Sequence, residues 1–180
     1  MKSTRVFAIM AAVSLLMFSS CEDLLDVTKT FTFEHEFVVS SVTDQSFDEF
    51  AVIDMTEEES LINDYGSKIK KIEIEEVRYW LKAHDGSSTQ AFGSIVLDVA
   101  NHDGTDVKNI VNVQDLVLAN LLNNPTVLSF NDQGIQKLSG LIKSPPHKFS
   151  LNLSGGANEV PLNFTVVFEF KVKMVANPIN

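Results

Sequence analysis

The sequence predicts a mainly β fold, an antiparallel sandwich with one to three short helices at its connections, and three observations lead there. Apolar and polar side chains alternate over several long segments, most completely over 162–174, the period of a strand with one buried face. Helical stripes are few and short, and no strand–helix–strand rhythm with glycine-rich strand ends is present, which removes the doubly wound folds. Turn signals, Asp85-Gly86, Asp103-Gly104, Asn124-Pro125 and Ser154-Gly155-Gly156, separate the alternating segments.

Over 29–40, Phe31, Phe33, Phe37 and Val39 share one face while Thr30, Thr32, Glu34 and Glu36 share the other, a half-buried strand. His35 falls on the apolar face, where a rim histidine with one hydrogen bond accounts for it. Residues 47–54 predict a second, less regular strand. Thr56-Glu57-Glu58-Glu59 has the form of a capping box, with Thr56 as N-cap, before a short helix through Leu61, Ile62 and Tyr65 that ends at Gly66. Within 68–83 the apolar set changes parity, with Ile72 and Ile74 even but Val77, Tyr79, Leu81 and Ala83 odd. A regular strand cannot do this. A β-bulge is therefore expected at Glu75-Glu76, with both glutamates in solvent; the alternative gives Trp80 a share of the core on the second face.

Residues 91–101 form one expected strand, so His84-Asp85-Gly86 and His102-Asp103-Gly104 stand at opposite ends of the domain. They read as two turns rather than one metal site. Asn101, Asp103 and Asp106 set oxygen atoms on a glycine-containing loop, a candidate calcium site without EF-hand spacing, beside the plainer reading of a solvated acidic turn. Residues 107–113 suit a strand, 115–122 a helix at least as well, and 126–130 a short strand. Asn131 can cap a helix with the stripe Ile135, Leu138, Leu141 and Ile142, which Pro145-Pro146 stops. A strand with Phe149, Leu151 and Leu153 on one side then leads to an expected hairpin loop over 154–158. The last strand puts Leu162, Phe164, Val166, Phe168, Phe170, Val172 and Met174 on one face. At about 1.5–3 kcal/mol for each large side chain removed from water, it is the expected spine of the core. An immunoglobulin-like or transthyretin-like sandwich fits this order.

The chain carries 14 basic and 24 acidic residues, and removing the first 20 leaves 12 against 24, a formal charge of −12. That excess argues against nucleic acid and anionic lipid as partners, since both need a basic footprint. Nucleophile elbow, zinc-protease helix, P-loop and Rossmann fingerprint are all missing from the sequence. Neighbouring carboxylates such as Asp48/Glu49 and Glu75/Glu76 point to opposite faces of a strand. The expectation is a protein that is not an enzyme and needs no cofactor.

The N-terminal stretch says most about place. Lys2 and Arg5 precede an apolar run over 6–18 broken only by Ser14, too short for the roughly 20 residues of a membrane span. Ser19-Ser20 and then Cys21, the single cysteine, close it; one cysteine permits no intramolecular disulfide. The segment resembles the lipobox of bacterial lipoproteins. Phe18 at the third position before the cysteine, and Glu22-Asp23 after it, are similar to lipoproteins of the Bacteroidota. The resemblance covers residues 1–21 only and implies cleavage between Ser20 and Cys21, lipidation of Cys21, and attachment to the outer membrane at the cell surface or on the periplasmic face. An ordinary cleavable signal peptide is the alternative.

The resulting organisation is a signal peptide over 1–20, a lipidated cysteine and tether over 21–28, and one domain over 29–180. Its expected function is binding or structural, toward a protein or glycan partner, with Tyr79 and Trp80 as an aromatic platform. One alternative is a carrier holding a lipid or other apolar ligand in a phenylalanine-rich interior. Another is a fibre or surface-assembly subunit; the chain resembles the lipoprotein fimbrillins of Bacteroidota only in its lipobox and β-rich character.

Overall fold

The computed structural model describes residues 25–179, so Ser20 and Cys21 lie outside the described residues. Among those described there are eight strands, β1 (Val27–Ser41), β2 (Ser46–Asp54), β3 (Ile69–His84), β4 (Ala91–Asn101), β5 (Lys108–Val117), β6 (Thr126–Val127), β7 (Lys148–Ala157) and β8 (Leu162–Ala176). Three helices occupy connections, α1 (Met55–Glu58), α2 (Ser60–Tyr65) and α3 (Asp132–Lys143). The strands form two four-stranded antiparallel sheets, ordered β1-β8-β3-β6 and β2-β7-β4-β5. The expected mainly β sandwich is what forms.

Its strand order is that of a jelly roll rather than of the immunoglobulin or transthyretin sandwich. Strand β1 pairs with β8, β2 with β7, β3 with β6 and β4 with β5, so the first half of the chain is one side of a ribbon and the second half, reversed, is the other. Wrapping that ribbon brings β3 beside β8 and β4 beside β7, which gives the two sheets of a double Greek key. The segment before β8 is consequently no hairpin: β7 runs to Ala157 in one sheet and β8 starts at Leu162 in the other.

Period-two burial explains the elements that match expectation. In β8 the seven apolar side chains from Leu162 to Met174 are all buried, and the strand lies between β1 and β3 as the spine of its sheet. In β3 the register against β8 slips between Ile74 and Glu76, the bulge that the parity change requires. Further slips between Ile69 and Lys71 and between Leu81 and Ala83 bend the same strand. Two clusters of rings cross the sandwich. Phe33 stacks on Phe170 at 4.8 Å and meets Phe149 of the other sheet at 6.1 Å; Phe164 meets Phe92 at 5.0 Å and Phe47 at 5.4 Å.

Local chemistry overrides the sequence reading at two connections. Asp54, not Thr56, caps α1, because its Oδ1 accepts both the Thr56 backbone N–H (3.1 Å) and the Thr56 hydroxyl (2.7 Å). Glu59 then caps α2 through the Leu61 N–H, and Gly66 closes it at φ 42°. Residues 115–122 are not a helix, since β5 extends to Val117 beside β4 and a 3₁₀ turn, Leu118–Leu121, follows. Asn131 caps α3 as expected. A Cβ at Gly134 would strike the backbone of Asn109 and Ile110, so this glycine, which costs a helix about 1 kcal/mol, is what lets α3 seat against β5.

Odd-numbered strands run one way and even-numbered strands the other, which gives the domain two distinct ends. At the near end lie the start of β1, α1, α2 and the turn over 102–107. The far end is made of loops 42–45, 85–90, 118–125 and 158–161.

Candidate functional site

On the outer face of the β2-β7-β4-β5 sheet, strand register lines up side chains in rows across the sheet. From the far end downward the rows are Ser46–Gly156–Ser94–Gln114, Asp48–Ser154–Val96–Asn112, Phe50–Asn152–Asp98–Asn109 and Val52–Ser150–Ala100. With strands about 4.8 Å apart, a row of four columns spans about 14 Å. Phe50 and Val52 are 58% and 54% exposed, two large apolar side chains pointing away from the core. Asn109 Nδ2 donates to Asp98 Oδ1 at 2.9 Å, while Asn152 Oδ1 is shut from water and has no hydrogen-bond partner. Such an unmade bond costs about 1–3 kcal/mol. The rows contain amides, hydroxyls and two carboxylates, and no lysine or arginine. Only below them does a cation enter, where Lys148 Nζ meets Asp54 at 2.6 Å; that ammonium and the Thr56 hydroxyl hold the Asp54 carboxyl down at about 2.

The outer face of the other sheet carries ion pairs, beside an exposed Val38 on β1. Lys82 reaches Glu36 at 2.7 Å, bridging β3 and β1 over the central strand β8. Arg78 holds Glu76 at 2.7 Å, Lys171 holds Glu75 at 3.2 Å and Lys71 holds Glu73 at 2.8 Å. Burial and the neighbouring Glu169 push the Glu34 carboxyl above its ordinary value.

The structure does not bring Tyr79 and Trp80 together as a platform, because neighbours on a strand face opposite ways. Tyr79 points into the core, 2% exposed and stacked on Phe168 at 6.2 Å, and burial raises its phenol. Trp80 lies half-buried on the outer face, where register sets it beside Val167, itself 1% exposed. Its role is a cover over an outward valine. His35 is likewise a rim residue, edge-on to Phe37 at 4.7 Å, with its imidazole lowered by burial.

Asn101, Asp103 and Asp106 do not converge on one point. Lys137 Nζ donates to Asn101 Oδ1 at 2.9 Å and to Asp106 Oδ2 at 2.6 Å, so an ammonium already sits between two of the oxygen atoms a calcium ion would take. Asp103 turns instead to Thr105, accepting from its N–H at 3.0 Å and its hydroxyl at 2.7 Å. His84 and His102 stand at the far and near ends, as the length of β4 requires.

At the far end, Gln90 is 1% exposed and ties loops together, donating to the carbonyls of Glu159 and Pro161 at 3.0 Å while its Oε1 lies 2.9 Å from His84 Nε2. Glu159 accepts in turn from Ser87 (2.6 Å) and Thr89 (2.9 Å). Beside this cluster lies an open depression of about 480 Å³ lined by Thr43, Asp44, Gln45, Ser46, Gly156, Ala157 and Val160. Ser46 and Gly156 also begin the first row of the amide-rich face, so the depression and the face are one continuous surface. The far-end loops hold Asp44, Asp85 and Glu159 and no lysine or arginine.

No family model matches the sequence. No curated protein matches it either. Among solved structures, the chain is similar to one from Desmodium yellow mottle tymovirus at 10% identity, covering 86% of this chain and 91% of that one, with a TM-score of 0.38. A structure from turnip yellow mosaic virus is similar at 9% identity over 84% of each chain, TM-score 0.38. The decameric BFDV capsid protein is similar at 9% identity over 82% of this chain and 99% of that one, TM-score 0.38. Likenesses at this level carry no argument about partner or activity.

Phe50, Asn152, Asp98 and Asn109 are the residues that sequence reasoning passed over. A signal for them existed: Phe50 and Val52 share parity with Asp48 and Asp54, opposite Phe47 and Ile53, so a strand with Phe47 in the core must expose them.

Proposed function

We propose that this chain is a lipid-anchored outer-membrane protein, at the cell surface or on the periplasmic face, whose non-catalytic sandwich binds a protein or glycan partner across the outer face of the β2-β7-β4-β5 sheet. The observation that carries the reading is that face: exposed Phe50 and Val52 beside amides, with one buried acceptor unmade. Anchoring rests on the lipobox resemblance. Cys21 precedes the first paired residue, Val27, by six positions, a reach of about 20 Å when extended. Such a tether sets the near end toward the membrane and the far-end loops away from it.

Surface binding is favoured over the carrier reading because the interior is filled: rings from both sheets meet at 5.0–6.1 Å, and the depressions at Thr43–Val160 and at Ile72–Ile135 open on the surface. The assembly-subunit reading retains one supporting feature. Strand β1 is an edge of its sheet over all 15 residues, a row of backbone groups that can accept another strand.

The test combines both halves. Cells expressing wild type or Cys21→Ala are labelled with radioactive palmitate and then treated with protease from outside. Label in wild type that is lost in the variant supports the anchor, and external digestion selects the cell surface over the periplasmic face. An unlabelled wild type removes the anchor and the orientation with it.

A further inference from the structure

We infer that the ligand of this face is a linear, uncharged, hydroxyl-rich chain, a neutral glycan, lying along β2 and β7 from Phe50 to the far-end depression. The inference rests on the amide-rich face being the binding surface and names the class of partner that it takes.

Size separates glycan from protein. Four strand widths of about 4.8 Å and seven residues of about 3.3 Å give a face of roughly 19 by 23 Å. That is about 440 Å², near half of the roughly 800 Å² per partner of a stable protein interface. Its two exposed apolar side chains, Phe50 and Val52, sit together on the edge strand instead of forming a central cluster, so the aromatic anchor at the middle of a protein interface is missing. A narrow chain has no such requirement. From Phe50 to Ser46 is about 13 Å along β2, and the track continues into the depression of about 480 Å³, a volume within the range of small-ligand sites.

The groups along the track suit hydroxyls. The Phe50 ring offers a flat apolar surface to the C–H face of a sugar ring. Next to it in the row, Asn152 Oδ1 is an acceptor that the free protein leaves without a donor. Reaching it requires the side chains around it to turn, and Phe50, with its outer side in solvent, is able to. Ser154, Asp48, Ser46 and Thr43 continue the line with oxygen atoms that accept or donate.

Charge selects among polysaccharides. Asp48 and Asp98 stand in the rows, Asp44 in the depression, and no lysine or arginine lies on the track. A polyanion meets repulsion without a compensating ion pair. A neutral chain meets hydroxyls, amides and carboxylate acceptors without that repulsion.

The experiment uses full-length lipidated protein in detergent micelles, run through native gels containing galactomannan, xyloglucan or mixed-linkage β-glucan as neutral probes and polygalacturonate as the polyanion. The expected result is retardation by at least one neutral polysaccharide, weakened roughly tenfold in Phe50→Ala by loss of the ring's contact area and restored in Phe50→Tyr. Trp80→Phe, on the opposite face, runs as wild type. Preference for polygalacturonate, retardation that Phe50→Ala leaves intact, or no retardation by any neutral probe overturns the inference. A photoreactive benzophenone side chain at position 50, illuminated in intact cells, tells the two readings apart. A discrete protein adduct without retardation means that the face binds protein and the glycan inference falls alone; neither adduct nor retardation removes both.

Discussion

The two outer faces of the sandwich are made from strands of the same alternating kind, and each leaves a valine exposed, Val38 on β1 and Val52 on β2, yet only one lays several ion pairs between its side chains. On the β1-β8-β3-β6 sheet, Lys82, Arg78, Lys171 and Lys71 each find a carboxylate, and Trp80 covers Val167. The β2-β7-β4-β5 sheet leaves Phe50 and Val52 exposed and Asn152 Oδ1 unpaired. What sets the second arrangement apart is the acceptor without a donor, which forgoes stabilisation. The contrast separates a face that pairs its charges across strands from one that leaves an acceptor unmade.

The strongest way to break the comparison is to truncate the aromatic side chain on each face. Trp80→Ala uncovers Val167 and should lower unfolding free energy by about 2–3 kcal/mol, read from urea midpoints. Phe50→Ala removes a ring that is already mostly in water and should cost less than about 0.5 kcal/mol. Equal losses would mean that Phe50 is structural. A smaller effect of opposite sign sharpens the contrast: Asn152→Val replaces a half-buried amide whose oxygen lacks a donor by a β-branched side chain, and stability should rise by about 1 kcal/mol.

Ion pairs supply the next test. A double-mutant cycle on Glu36 and Lys82 should give a coupling of about 0.2–1 kcal/mol that shrinks between 0.1 M and 1 M salt. Under the same cycle, no coupling should be found between Asp48 and any lysine.

The smallest effect concerns acid. Asp54, below the rows of the amide-rich face, titrates at about 2 against an ordinary 3.8, chiefly because it accepts hydrogen bonds from Lys148 and Thr56. A lowered folded-state value means that its contribution is fully present above the ordinary value and is lost as pH falls through about 2. Asp54→Asn should therefore be less stable than wild type at pH 7, and the two denaturation curves should converge between pH 4 and pH 2.

What the sequence made legible was whatever depends on neighbours along the chain. Parity located β1 and β8 and pointed to the bulge at Glu75-Glu76, because a regular strand cannot change face. Partner choice is a different matter. Nothing in the alternation of β7 says that it lies beside β2 and β4 while β8 lies beside β1 and β3, so the jelly-roll order stayed out of reach. The slips at Lys70 and Lys82 escaped notice because they fall at the ends of the apolar set, where no later residue reveals the change. For the site, Tyr79 and Trp80 stand out as adjacent aromatic residues on one strand, whereas position decides use: Trp80 lies half-buried beside Val167, and an ordinary phenylalanine on the polar parity of β2 is the exposed ring. Lys137 could not have been placed beside Asn101 and Asp106 without knowing that α3 lies against the end of β4 and β5.

The unbroken register between β1 and β8 gives the domain a mechanical character. Tension applied between Val27 and the opposite sheet would run parallel to β1. Fifteen residue pairs, from Val27–Ala176 to Ser41–Leu162, then carry the force side by side in shear. Peeling the same strand sideways would load its hydrogen bonds one after another. The sandwich is thus hardest to open along the direction of its own first strand.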